Sequence, residues 1–446
     1  MIIDRIFHKI NSSKSHPYFY LSPHVYGFGD CAQQIHHALI RAMYRKKKLV
    51  ILYPFDIPFI FKYKLTNRAL FNIKSDLIVD QGKYVTLFSR TLMTIIYMPL
   101  RVVGLLLRKF SRFNLLDSYH FPNIGYRDVY VAENSINKFS LEPILKYNWG
   151  EKFSKKIDFT ISLNGNVCDG YEQQKLGIPK NSWFVCLHVR GSGFRGDAGK
   201  RDYRNPNISN YIPAIKEITS RGGWVVRMGD DTMKPLPSME NVIDYPFTKY
   251  KSEFMDLCLI QNCRFFIGGQ SGLQEFANLA YKYVLLINMY VWNFEPALTH
   301  NRGILQRIYS KKDKRYLSVK EIFSIDLGTK NYHIHNGLTD ENYVHTENSE
   351  EDISKAVLEY MDFLSNDDKS LTSKQKEYNK YNKQQGYRLL KSNRVTSPKT
   401  SSDKFEMVVL YKSMMELERI RGTLCAGFFG GLLVRAIDKN RTFVQS

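Results

Sequence analysis

RFFIGGQSGLQEFA, residues Arg264–Ala277, is the stretch on which the fold turns. Arg264–Ile267 has the apolar, aromatic character of a buried strand. Gly268-Gly269-Gln270-Ser271-Gly272 is a turn, and Leu273–Tyr281 carries apolar residues at helical spacing. A strand that breaks on glycines straight into a helix is the elementary step of a parallel α/β sheet. Glycines let a backbone approach a ligand closely, and a helix N-terminus favours negative charge. Gly269, Gln270, Ser271 and Gly272 are therefore an anion-site candidate. The plainer alternative is that Ser271 caps its helix and the glycines only make the turn tight.

The same alternation extends to either side. Trp183–Val189 (WFVCLHV) predicts a strand, Ile208–Thr219 a helix, and Gly223–Met228 (GWVVRM) a strand closed by Gly229-Asp230-Asp231. Val242–Tyr245 predicts a short strand, Ser252–Cys263 a helix, and Tyr283–Asn288 (YVLLIN) a strand. This spacing implies a parallel sheet covered on both faces. Upstream, Tyr18–Val25, the glycine turn Tyr26–Asp30, a helix over Cys31–Tyr44 and a strand over Leu49–Phe55 open a second unit of the same kind. The expected architecture is α/β with two Rossmann-like domains, residues 1–170 and 171–345, followed by a helical and polar extension over 346–446.

Ligands of open parallel sheets bind outside the carboxyl ends of the strands. His188, Arg190 and Gly191 stand at one such end; Arg227, Gly229 and Asp230 stand at the next. Arginine suits a bidentate grip on phosphate oxygens, so Arg190 and Arg227 beside a glycine–serine helix start point to a diphosphate. A surface salt bridge is the alternative for either arginine alone. His188 would orient Arg190 or bond a sugar hydroxyl, unless it is a satisfied structural histidine. Asp230, Asp231 and Asp244 form no D-x-D pattern, so no metal is expected. The Gly-Lys-Ser/Thr ending of a triphosphatase loop is missing. Gly27-Phe28-Gly29 has Ala32 where a dinucleotide fingerprint needs its third glycine. Asp30 is expected to cap the helix it opens; it or the nearby His24 would be an acceptor base if that turn faces a cleft.

Composition bounds the rest. The chain has 446 residues, 43% of them apolar, which excludes wholesale disorder, and a formal net charge of +21, which calls for an anionic partner. Six cysteines without paired spacing suggest neither a zinc framework nor a disulfide scaffold, and the N-terminus shows no secretory apolar core, so a cytoplasmic location is the default. Leu92–Leu107 is too short to span a bilayer and is interrupted by Pro99 and Arg101. It reads as a buried helix pair kinked at Pro99 or, with Arg90, Arg108, Lys109 and Arg112 around it, as an interfacial segment.

FVCLHVRGSG (Phe184–Gly193), YRNPNISNYIPAIKEITSRGGWVVRMGD (Tyr203–Asp230) and RFFIGGQSGLQEFA together resemble a family of bacterial glycosyltransferases encoded with surface-polysaccharide functions. PHVYGFGD (Pro23–Asp30) resembles the same family, and the likeness covers roughly residues 15–300. His188-x-Arg190 is also similar to the H-x-R motif of two-domain fucosyltransferases, whose arginine contacts the donor diphosphate. Their Asp three residues after the Arg is Gly193 here.

The resemblance implies two facing Rossmann-like domains of the GT-B type with a C-terminal helical tail. It implies a metal-independent hexosyl or deoxyhexosyl transferase that moves sugar from a nucleotide-diphosphate donor to a glycan or lipid-linked acceptor, in lipopolysaccharide or capsule assembly. Arg190 and Arg227 would hold the diphosphate, Gly269, Ser271 and Gly272 would present the helix to it, and Glu275 would bond ribose or sugar hydroxyls. No cofactor beyond the nucleotide-sugar co-substrate is implied. The enzyme would be cytoplasmic, peripheral on an anionic inner membrane. Rival readings are a non-catalytic polysaccharide-assembly factor and a basic nucleic-acid-binding protein. The second lacks a recognisable binding motif, so no nucleic-acid partner is expected.

Overall fold

The computed structural model describes residues 2–23, 25, 27–55, 66–110, 124, 156–193, 204–289, 298, 300–324, 342–368, 370, 372, 373 and 375. The chain divides into two units. One comprises Met1–Val131, Lys156–Gly170 and Ser252–Cys258; the other comprises Ala132–Lys155, Tyr171–Lys251 and Leu259–Ser446.

The N-terminal unit begins with α1 (Ile2–Ser12), β1 (Tyr18–Leu21), α2 (Phe28–Tyr44) and β2 (Lys48–Ile51). β1 and β2 pair in parallel, with α2 as the crossover. Apolar residues of α2 recur at helical spacing, and Cys31, Ile35, Ala38, Leu39 and Ala42 are all buried. The helix starts three residues before the sequence pattern suggests, because the Cys31 N–H already bonds to the Gly27 carbonyl at 2.8 Å. Gly27 is the N-cap, with no side-chain cap bond, so the expectation that Asp30 caps this helix is corrected. Asp30 lies inside the first turn, where a carboxylate still complements the helix dipole.

β3 (Ile73–Lys74), α3 (Gly82–Phe110), β4 (Thr160–Leu163) and β5 (Asn166–Val167) complete the unit, with the three strands antiparallel. α3 is one helix of 29 residues that runs through Pro99, not a pair broken there. A proline inside a helix forfeits one backbone hydrogen bond and tends to kink it, but does not oblige the chain to leave helical geometry. Among the described residues no helix is long and apolar enough to cross a membrane.

The second unit is built on β6 (Phe184–His188), α4 (Ile212–Ser220), β7 (Trp224–Arg227), β8 (Val242–Asp244), the last turn of α5 (Glu253–Asn262, whose residues to Cys258 fall in the first unit), β9 (Phe265–Gly268), α6 (Gly272–Leu279), β10 (Val284–Met289) and β11 (Arg302–Leu305). The six strands form one sheet in the order β11-β10-β9-β6-β7-β8, and every pairing is parallel. Side chains alternate across a strand, so a sheet buried on both faces needs continuous apolar runs, and Phe184–His188 is buried at all five positions.

β12 (Arg307–Ser310), β13 (Arg315–Tyr316), α7 (Val319–Ser324), β14 (Tyr343–Thr346) and α8 (Glu350–Ser365) follow. α8 contributes Ile353, Ala356, Val357, Tyr360 and Met361 to the core formed by Val185, Leu187, Phe265 and Ile267 of the sheet and Ala214, Ile215 and Ile218 of α4. The segment 346–446, expected as an extension, thus supplies a helix to this core. Asn288 and Asn348 anchor it by exchanging backbone-to-side-chain bonds of 2.8 and 2.6 Å. Residues 376–446 of that extension lie outside the described residues.

Candidate functional site

From β6 the chain moves through β7 to β8 on one side, then returns to place β9, β10 and β11 on the other. The order reverses between β6 and β9. In doubly wound sheets the crevice at that reversal, outside the carboxyl ends of the strands, is where ligands bind. The residues selected from sequence in the C-terminal half sit at or beside these ends.

His188 ends β6 and pairs in register with Gly268, the last residue of β9. The two backbones are very close: a Cβ on Gly268 would stand 2.6 Å from the His188 carbonyl oxygen. Immediately beyond, His188 Nδ1 lies 3.1 Å from Ser271 Oγ. Ser271 is in extended geometry and is the N-cap of α6, its hydroxyl accepting the Gln274 N–H at 3.4 Å. Ser271 thus caps its helix, the plainer of its two readings, and its hydroxyl also meets the histidine ring. Burial lowers the His188 pKa to about 4; Asp230 works against that shift, and Arg227, Arg190 and Lys251 reinforce it. The ring is neutral at neutral pH and keeps one donor and one acceptor nitrogen.

The arginines are held rather than loose. Arg190, half-buried, donates through Nη1 to Asn205 Oδ1. Arg227 is buried and its Nη1 donates to Asp244 Oδ1 at 2.8 Å; Asp244 also accepts the Leu236 N–H at 2.7 Å. Arg227 thus makes the ion pair that was the alternative to a phosphate contact. Its Nε, like Asn205 Nδ2, is buried and has no hydrogen-bond partner among the described residues. Asp230 accepts from the Thr232 backbone N–H at 3.0 Å and from its hydroxyl, which closes the loop after β7. Gly229, with φ of +145°, turns that loop against Met233.

Gly269 differs from Gly268, since a Cβ there would meet nothing closer than the Ile287 carbonyl oxygen at 3.7 Å. Gln270 offers its carbonyl to Arg204 Nη2 at 3.3 Å, and Glu275 is in the first turn of α6. Gly191 lies beside Met233. Asp30 belongs to the N-terminal unit, in the first turn of α2, and His24 lies outside the described residues. Three residues escaped the sequence reading: Arg204, Asn205 and Lys251. Arg204 and Asn205 fall inside the quoted YRNPNISNY stretch, and Lys251 follows β8, so each is in a connection leaving a strand of this edge. Loop position after a strand was the available signal.

The chain matches no protein-family profile and no curated protein. Solved structures that resemble it include a family 9 glycosyl transferase of Veillonella parvula, at 10% identity over 80% of this chain and 100% of that one, with a TM-score of 0.39. Another is a Listeria monocytogenes protein provisionally assigned as a UDP-N-acetylglucosamine 2-epimerase, at 10% identity over 82% of this chain and 78% of that one, with a TM-score of 0.20. Both overlaps are shallow. The strand order, rather than either neighbour, makes the C-terminal unit a doubly wound α/β fold.

Proposed function

We propose that the protein is a glycosyltransferase whose C-terminal unit binds a nucleotide-diphosphate sugar at the β6–β9 reversal. The observation that carries this reading is the convergence, at one crevice, of the Ser271-capped start of α6, the neutral His188 and the guanidinium groups of Arg190 and Arg227. A helix N-terminus and fixed arginines stabilise a diphosphate as negative charge develops on it when the glycosidic bond breaks. Arg204 and Lys251 add to that positive field. The resemblance of Phe184–Gly193, Tyr203–Asp230 and Arg264–Ala277 to bacterial glycosyltransferases favours sugar transfer among the reactions such a crevice serves.

In this account Arg190 grips the diphosphate, and the buried Nε of Arg227 is turned to the ligand while Nη1 stays on Asp244. Gly269 admits the phosphates to the backbone, and Glu275 takes a ribose or sugar hydroxyl. Asp30 or His24 of the N-terminal unit deprotonates a glycan or lipid-linked acceptor in surface-polysaccharide assembly. Leaving-group charge is met by side chains, so turnover survives metal chelation.

The test is turnover of a GDP-, UDP-, CMP- and dTDP-sugar panel with and without EDTA, alongside Arg190→Ala. Sugar release that Arg190→Ala abolishes while the fold persists supports the assignment. Full turnover in Arg190→Ala contradicts it. Donor binding without turnover on any acceptor points to a non-catalytic assembly factor instead.

A further inference from the structure

We propose that the outward face of α3 is a docking surface for an anionic lipid bilayer. The inference does not depend on glycosyl transfer. It starts from a stripe of large apolar side chains left in water: Tyr84 is 84% exposed, Phe88 69%, Ile95 59% and Leu92 46%. Their spacing of i, i+4, i+8 and i+11 places all four within about 80° of one another around the helix. Val85 borders the same stripe and is 56% exposed.

The opposite side of α3 is already used. Met93 and Thr94 are buried, and Thr94 Oγ1 accepts the Phe55 N–H at 2.9 Å. The Arg90 guanidinium lies over the rings of Phe55 and Tyr53, 4.2 and 4.9 Å from their centroids. The helix is thus fixed to its own unit by one face while the apolar stripe looks away. The stripe overlaps the segment the sequence singles out, Leu92–Leu107, at Leu92 and Ile95, and begins ahead of it at Tyr84.

Charge selects the occupant. The sequence of α3 has no Asp or Glu and, besides the Arg90 packed against Phe55 and Tyr53, includes Lys83, Arg101, Arg108 and Lys109. Residues 1–150 hold about +12 of the chain's +21. A second copy of the chain would bring the same sign of charge against itself, whereas anionic headgroups complement it. An amphipathic helix with basic residues and an aromatic–aliphatic face lies in the headgroup region, its rings at the water–acyl boundary. No described helix is long and apolar enough to cross, so α3 lies on the surface.

The test is flotation of the full chain with phosphatidylglycerol–phosphatidylcholine vesicles and with pure phosphatidylcholine vesicles. Wild type is expected to float with the first and far less with the second, and to be released by about 0.5 M salt. The Phe88→Ser/Leu92→Ser double variant is expected to lose binding roughly tenfold or more at an unchanged melting temperature. Should that pair destabilise the fold, Tyr84→Ser alone gives the same comparison. Failure of wild type to float with anionic vesicles overturns the proposal, as does equal flotation of a folded variant. So does a wild-type dimer that ignores vesicles and becomes monomeric in the variant, which would assign the face to a second copy.

Discussion

The Nδ1 atom of His188 lies 3.1 Å from the Oγ atom of Ser271, tying the end of β6 to the N-terminus of α6 where the strand order reverses. One hydroxyl serves both the ring and the helix cap, and the two duties separate by substitution. Ser271→Ala loses the cap and is expected to cost about 1 kcal/mol. Ser271→Asp keeps an N-cap acceptor but places negative charge where the phosphates sit. We expect Asp to hold the melting temperature near wild type and yet bind donor more weakly than Ala. Thermal melts and calorimetry on the pair check this; equal donor affinity in all three proteins would remove Ser271 from the site.

Acid should weaken the fold through its buried histidines. Burial holds His188, His300 and His345 at about 4 and His36 at about 3, against an ordinary 6.5. Each takes up a proton on unfolding once the pH falls below 6.5. Their stability contribution is therefore fully present above 6.5 and is lost as the pH drops toward 4. His188 alone accounts for up to about 3 kcal/mol over that window. Urea midpoints at pH 7 and pH 5 should differ clearly, and His188→Asn should narrow the gap. A midpoint that is flat between those values would contradict the buried, neutral ring.

Arg227 and Asp244 form a buried pair whose halves are not equivalent, since the arginine side chain is 3% exposed and the aspartate 19%. Asp244→Asn strands a guanidinium in the interior and is expected to cost about 3 kcal/mol or more. Arg227→Met leaves a carboxylate that keeps some water and the Leu236 N–H, so it should cost less. Denaturant titration of both variants tests the ordering. Donor calorimetry on Arg227→Met then tells whether the buried Nε also serves a ligand.

Adjacent glycines should behave differently. Gly268→Ala drives a Cβ to 2.6 Å from a carbonyl oxygen on the neighbouring strand, so backbone must move, and a loss of about 2 kcal/mol or more is expected. Gly269→Ala meets only ordinary contact at 3.7 Å and should stay within about 0.5 kcal/mol of wild type. If phosphates approach the backbone there, Gly269→Ala weakens donor binding with no stability cost. Unchanged affinity would place the ligand elsewhere along the turn.

The C-terminal sheet was legible because a doubly covered parallel strand must be apolar at consecutive positions. Trp183–Val189 and Gly223–Met228 differ from β6 and β7 by a residue at each end. Other features depend on tertiary partners that spacing does not encode. Asp230, Arg190 and Lys251 come together around His188 only because their strands are neighbours in the order β9-β6-β7-β8. The Arg227–Asp244 pair depends on the parallel register of β7 with β8. α8 reads in the sequence as part of a helical and polar extension, whereas it buries a face of Ile353, Ala356, Val357, Tyr360 and Met361. The start of α2 at Phe28 was hidden by glycines that usually mark turns.

The central claim is that the β6–β9 crevice binds a nucleotide-diphosphate sugar through Arg190. Isothermal calorimetry of wild type and Arg190→Ala against GDP-, UDP-, CMP- and dTDP-sugars measures this most directly. The account predicts micromolar binding of at least one diphosphate sugar by wild type and at least about tenfold weaker binding by a folded Arg190→Ala variant. No binding of any diphosphate sugar by folded wild-type protein, or equal affinity in the variant, would contradict it.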